Sequence, residues 1–207
     1  MKQSMQGAES AVEIVSREVR YDGFFRLEHY RLRHRLFAGG WSPVLSRELF
    51  QRGHAAALLL YDPWADAVVL QEQFRIGAME APGGPWLLEI VAGVIEEGES
   101  PSEVVMREAV EEAGCHVDSV QPICEYLVSP GGSSERIYLF YALVDSAGLG
   151  GLHGLPHEGE DIRVEVVAWQ SVAQWLAAGE IRAASALIAL QWLSLNRERL
   201  RAEVASG

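Results

Sequence analysis

Apolar side chains alternate with polar ones over several short stretches of this chain and recur every third or fourth position over others, and the change of period marks its elements. Residues 11–21 read as a strand, Asp22-Gly23 as a turn, and residues 24–35 as a second strand. Phe25 and Leu27 alternate, then Tyr30 and Leu32 continue out of phase, which predicts a bulge in that second strand. After Ala38-Gly39-Gly40, residues 44–50 make a third. Three such strands form a small antiparallel sheet with little core of its own, so it must pack on the rest of the chain or on a second subunit.

The pattern changes at His54. Residues 54–61 are almost uninterruptedly apolar, residues 62–66 form a turn, and residues 67–74 return as the second arm of a hairpin. A loop over 79–85 precedes a short apolar strand, 86–91, which delivers the chain to Gly93. Further strands are expected at 123–128, 136–144 and 162–169, with a long glycine-containing surface loop over 145–161. A short helix over 171–178 ends at Gly179, and a longer one over 183–204 carries Leu187, Ile188, Leu190, Leu193 and Leu195 on its apolar side. The first nine residues read as a mobile tail. Antiparallel strands, a strand-loop-helix insertion, more strands and then helices predict an α+β fold with helices packed on a mixed sheet. The expected division is an N-terminal β-sheet domain, 1–52, and a larger domain, 53–207.

Composition narrows the class. A hydrophobic content of 49 % with mixed charge argues against disorder, and no apolar run approaches the length of a membrane span. The net charge of −12 makes a nucleic-acid surface an unfavourable reading, because duplex binding needs Lys and Arg on the phosphates. An anionic substrate remains compatible if a divalent metal supplies local positive charge. Cys115 and Cys124 are isolated thiols that fit a reducing compartment, so the expected location is the cytoplasm.

One stretch concentrates carboxylates at fixed spacing. Ser100 or Ser102 can cap a helix, Pro101 suits its first turn and Gly114 its end, which places a helix over Pro101–Ala113. Glu108, Glu111 and Glu112 then share one face, where like charges destabilise the helix unless a cation sits between them. Val104, Val105, Ala109 and Ala113 supply an apolar side for packing on a sheet, which leaves the carboxylates facing a cleft. Clustered carboxylate oxygens are ligands for a hard divalent ion such as Mg²⁺ or Mn²⁺.

From Gly93 to Cys115 the residues spell G-x5-E-x7-R-E-U-x-E-E-x-G-U, with U apolar, and the only soft departure is Cys115 where a branched aliphatic is usual. The stretch resembles the signature of the Nudix hydrolases. That resemblance implies an α/β/α sandwich and hydrolysis of a nucleoside diphosphate linked to another moiety. It implies metal held by Glu108, Glu112 and the Ala92 carbonyl, with Glu160 joining when its loop closes, Glu111 as a helper, and Arg107 anchoring the loop by pairing with a carboxylate such as Glu99. Further stretches at residues 47–55, 71–77, 86–89 and 129–135 are similar to the bacterial ADP-ribose pyrophosphatases within that family. They imply ADP-ribose as substrate and a homodimer in which the N-terminal sheet is exchanged or shared. By the same resemblance Phe24 would stack on adenine, Arg47 and Arg75 would hold ligand groups, Glu135 would reach the terminal ribose across the dimer, and Gly93, Ser129 and Pro130 would border the substrate. Matching the loop after the box puts the base that orients the attacking water at Glu158, with Glu160 and His157 as neighbouring alternatives. GDP-mannose hydrolysis and non-catalytic ADP-ribose sensing are the rival readings.

Overall fold

The apolar run that begins at Ala55 becomes a strand buried along its whole length, Ala55–Asp62 (β4). This is seen in a computed structural model that describes residues 11–205 and, at Glu158, the backbone alone. The first nine residues, read above as a tail, lie outside the described residues. Ala57, Leu59 and Tyr61 enter one apolar core, whereas Ala56, Leu58 and Leu60 enter a second on the opposite face. A strand covered on both faces loses the polar-apolar alternation of a half-exposed one, which is why its sequence reads as continuously apolar.

Contacts divide the chain into two compact units: the residues before His54 together with Leu127–Glu135, and His54–Tyr126 with Arg136–Gly207. The first unit holds three antiparallel strands, Val12–Asp22 (β1), Arg26–His34 (β2) and Leu45–Gln51 (β3), in that spatial order. Its pairing irregularities fall between Ile14 and Ser16 and between Val19 and Tyr21, so the extra residues lie on β1 and not on β2 as expected. The out-of-phase apolar residues of β2 are accommodated by bulges in its partner strand. Leu127–Glu135 joins this unit through the Phe50 amide, which donates to the Gly132 carbonyl at 2.8 Å.

In the second unit, β4 and Ala67–Phe74 (β5) form the expected hairpin, paired only over Leu60–Asp62 and Ala67–Val69. Beyond that point they diverge. The segment expected as one strand is two, Trp86–Glu89 (β6) and Val91–Val94 (β7), with Ile90 buried at the break. β6 pairs with β5 and β7 with β4, so the segment fills the split between the hairpin arms. The larger sheet is completed by Gln121–Leu127 (β8), Arg136–Leu143 (β9), Gly151–His153 (β10) and Ile162–Ala168 (β11). Its spatial order is β10-β11-β5-β4-β9-β8, and β4 with β9 is a parallel pair, which makes the sheet mixed.

Part of the stretch expected as surface loop is therefore strand: β10 pairs with β11, and a short 3₁₀ turn, Pro156–Glu158, follows it. Three residues, Gly151-Leu152-His153, carry too short a pattern to read, and the sheet edge supplies the order. Helix α1 spans Pro101–Ala113 and packs on one face of the sheet. Helices α2 (Trp169–Ala178) and α3 (Ala184–Ala205) lie in the other core, but Leu195 is not on the apolar side of α3 as expected: it falls off the stripe of Leu190 and Leu193 and is exposed. α2 begins two residues before its expected start because the chain leaves β11 and turns directly into it at Ala168.

Candidate active site

Local chemistry sets α1 in place first. Ser100 and Glu103 form a reciprocal capping box, Pro101 opens the helix, and Gly114 ends it in a left-handed conformation at φ 62°. Val104, Val105, Ala109 and Ala113 are buried against the sheet. Positions 108 and 112 border that apolar stripe, so the fold that buries the stripe draws Glu108 and Glu112 in with it. Glu112 is only 2 % exposed, and its Oε2 accepts from the Ala92 amide at 2.9 Å and from Gln71 Nε2 at 3.0 Å.

A cleft of about 250 Å³ opens above these groups, lined by Arg75, Ala92, Gly93, Arg107, Glu108, Glu111, Glu112 and Glu160, together with Val94, Glu96 and Leu155. Eight residues expected at the site from sequence thus border one cavity. Arg107 donates to Glu108 at 2.9 Å, to Glu111 at 3.2 Å and to Glu99 at 3.4 Å, tying the loop that follows Gly93 to the helix. Arg75 is gripped by Glu89 at 2.7 and 2.9 Å. Glu160 accepts from the Leu155 amide at 3.3 Å. Glu158 ends the 3₁₀ turn that precedes Gly159; its side chain lies outside the described part of the structure.

The other expected residues belong to the first unit. Phe24 is 93 % exposed and touches Phe25 edge-on at 4.7 Å. The Arg47 guanidinium donates to the Ser46 carbonyl at 2.7 Å. Glu135 is buried and paired with Arg52 at 3.4 Å, which gives it a partner inside this chain. Ser129 and Pro130 form a turn in which the Ser129 carbonyl accepts from Gly132 and Ser133, a position that suits proline for backbone reasons.

Two residues of the site went unread in the sequence. Gln71 donates to Glu112, and Glu89 holds Arg75. The available signal was polarity in the wrong place: Gln71 and Gln73 interrupt an apolar strand, and a polar side chain in a buried strand needs a partner.

Burial pushes the carboxyls of Glu108 and Glu112 up to about 7, although Arg107 opposes the shift at Glu108 and the Gln71 and Ala92 hydrogen bonds oppose it at Glu112. Desolvated oxygens of this kind are hard ligands in need of positive charge, and with the Ala92 backbone and Glu160 they suit Mg²⁺ or Mn²⁺. Among the described residues no three His, Cys, Asp or Glu side chains close a metal shell by themselves.

Raised carboxyl values carry a definite sign. The folded state binds more protons than the unfolded chain between the ordinary 4.5 and about 7, so metal-free stability falls as pH rises through that window. The melting temperature in EDTA should therefore be lower at pH 8 than at pH 5.5, and Mg²⁺ should restore it at pH 8 with much less effect at pH 5.5. An EDTA melting curve that rises with pH would overturn the assignment.

Gly93 makes a second prediction. A Cβ built there would collide with the Glu108 side chain, with carboxylate Oε1 the nearest atom and Cδ and Cγ each 2.5 Å away. Gly93→Ala should thus displace the Glu108 side chain and leave the backbone in place. Activity is expected to fall by about 10²-fold, the usual cost of misplacing a reacting group by roughly 1 Å. The melting temperature should change little; an active Gly93→Ala enzyme would show that Glu108 does not need its present position.

Comparison with known proteins is consistent with this geometry. The NUDIX domain model matches residues 51–192. The chain is 52 % identical over 194 residues to the ADP-ribose pyrophosphatase of Escherichia coli (strain K12), covering 94 % of this chain and 93 % of the relative. It is 33 % identical over 192 residues to the GDP-mannose pyrophosphatase of Enterobacter sp. (strain 638), covering 89 % and 96 %. A solved structure described as an ADP compounds hydrolase superposes with a TM-score of 0.68 at 18 % identity, covering 96 % of this chain and 98 % of that one, which supports the fold.

Proposed function

The chain belongs to the Nudix hydrolase family, and from that premise we propose that it hydrolyses the pyrophosphate bond of ADP-ribose in a Mg²⁺-dependent reaction, giving AMP and ribose 5-phosphate. The observation that carries the reading is the convergence of Glu108, Glu112, Glu160 and the Ala92 backbone on one cleft, with the Arg75 guanidinium at its border.

Glu108, Glu112 and the Ala92 carbonyl are the groups that would hold the cation, with Glu160 added when its loop closes. Mg²⁺, or Mn²⁺ in its place, polarises a phosphoryl oxygen, favours ionisation of the attacking water and neutralises charge on the departing phosphate. The chain's own groups do the rest. Glu158 takes the proton from the water as its oxygen bonds to phosphorus, and the bond from that phosphorus to the bridging oxygen breaks. Arg75 binds substrate oxygens by charge-assisted hydrogen bonds, while Glu89 keeps its fork in position. Arg107 holds the loop from Gly93 to Glu99 against the helix, and Glu111 is a helper through its contact with Arg107.

The first unit is the dimerisation element in this reading. Along β1, Val12, Ile14, Val15, Val19 and Tyr21 are exposed, and Phe24 and Phe37 project beyond the sheet. Apolar residues grouped on one small sheet favour a covering partner, here a second copy of the chain. Phe24, Arg47, Ser129, Pro130 and Glu135 then bind the adenosine and terminal ribose within the assembled dimer, either by shared surface or by exchange of the sheet. No described helix is long and apolar enough to cross a membrane, and we place the protein in the cytoplasm without a nucleic-acid partner.

Product analysis by ³¹P NMR and chromatography on ADP-ribose, ADP-glucose, GDP-mannose and NADH tests the substrate. ADP-ribose should be turned over with the highest kcat/KM, by about tenfold or more over each alternative, the scale on which pocket contacts discriminate. Faster turnover of GDP-mannose would transfer the assignment to that substrate, and binding without turnover would make the protein a sensor.

A further inference from the structure

One buried polar side chain aimed at the site has no role in the reaction as derived above. Gln71 lies on β5 two residues beyond Val69, on the face that packs toward α1, and is 2 % exposed. Its Nε2 donates to Glu112 Oε2 at 3.0 Å, and its Oε1 is buried with no hydrogen-bond partner among the described residues. Burying an amide oxygen unpaired is a cost that an apolar residue of the same size would avoid, so packing does not account for glutamine here.

The hydrogen bonding of Glu112 gives the reason. Both donors, Gln71 Nε2 and the Ala92 amide, converge on Oε2. Oε1 receives neither. We infer that Gln71 is a positioning residue that fixes Glu112 through Oε2, so that Oε1 is the oxygen presented to the divalent cation. The inference rests on the metal-dependent reading above.

A neutral donor suits this task. Lysine or arginine at position 71 would neutralise Glu112 and compete with the cation, and glutamate would repel it. The nearby cation, Arg75, is turned to Glu89, whose own position pairs with Gln71 across β5 and β6. Glu112 is thus oriented by dipoles, and Arg75 acts on it through space without an ion pair that an incoming cation would have to break.

Mn²⁺ binding to the full chain, followed by electron paramagnetic resonance at one fixed pH, tests the inference with wild type, Gln71→Met, Gln71→Asn and Glu112→Gln. Gln71→Met should raise the Mn²⁺ Kd by about 10–100-fold, the range for losing an outer-shell partner, with Gln71→Asn intermediate. ADP-ribose turnover by Gln71→Met should fall by a similar factor at limiting Mn²⁺ and recover at saturating Mn²⁺, a rescue that a purely structural defect would not show. If Gln71→Met does not fold by circular dichroism, Gln71→Asn decides by the same two readouts.

Wild-type affinity in the folded Gln71 variant, with binding lost in Glu112→Gln, would overturn this inference alone. A turnover defect that persists at saturating Mn²⁺ would do the same. Equal Mn²⁺ binding by wild type and Glu112→Gln would remove the metal assignment itself, and the inference with it.

Discussion

Glu112→Gln is expected to lower kcat/KM for ADP-ribose by about 10³-fold, the scale on which a preorganised electrostatic group acts in a dry site. The substitution keeps the shape of the side chain and an oxygen that can accept from the Ala92 amide and Gln71. What it removes is the negative charge and one anionic ligand oxygen. The same change should leave metal-free protein at pH 8 at least as stable as the parent, because the ionised Glu112 is desolvated and its carboxyl is pushed up to about 7. Steady-state kinetics with Mg²⁺ and melting curves in EDTA measure the two effects separately. A variant that loses less than about tenfold in kcat/KM would not have lost a metal ligand. A variant that melts well below the parent would show that Glu112 serves the fold.

Glu158→Gln is expected to reduce kcat by about 10²–10⁴-fold, the contribution of a positioned general base, with Mn²⁺ affinity unchanged. The contrast with Glu112→Gln is the informative part. A base acts on the water and a ligand acts on the ion, so only the ligand variant should weaken metal binding. Glu158 stands at the end of the 3₁₀ turn between β10 and β11, one residue before Gly159 at φ 74°, on a segment whose next acid, Glu160, borders the cleft. A swing of this segment would carry both acids together, so turnover would depend on closure around bound substrate. Glu160→Gln separates them. If Glu160→Gln costs more in kcat than Glu158→Gln while metal affinity holds, the base is Glu160.

Helix α1 is the most legible part of the chain. Its cap, its glycine end and the spacing of Glu108, Glu111 and Glu112 are local facts, and local rules place them within a residue. The β4–β5 hairpin was legible for the same reason, as a continuous apolar run turning at Asp62 to Asp66 and returning. The break at Ile90 was not. Residues 86–91 are apolar except for Glu89, and whether such a run pairs with one neighbour or two depends on how β4 and β5 diverge. The bulges lie on β1 although the phase slip shows on β2, because a slip in one strand can be absorbed by its partner. β10 was missed because pairing with β11, and not its own composition, orders it.

Sequence by itself determined the chemistry of this protein: which carboxylates stand one helical turn apart, where the glycines let the backbone approach, and how loop and helix are joined. Those features depend on neighbours within a few residues. Only the tertiary structure decided what surrounds them. Gln71 and Glu112 are 41 residues apart, and Ala92 and Glu112 are 20 apart. They meet because the sheet splits between β4 and β5, and β7 fills the split beneath α1 while Gln71 of β5 faces the same helix. The depth of that burial, and so the upward push on the Glu108 and Glu112 carboxyls, comes from the whole fold, since desolvation depends on every atom that displaces water and no single stretch of sequence contains it.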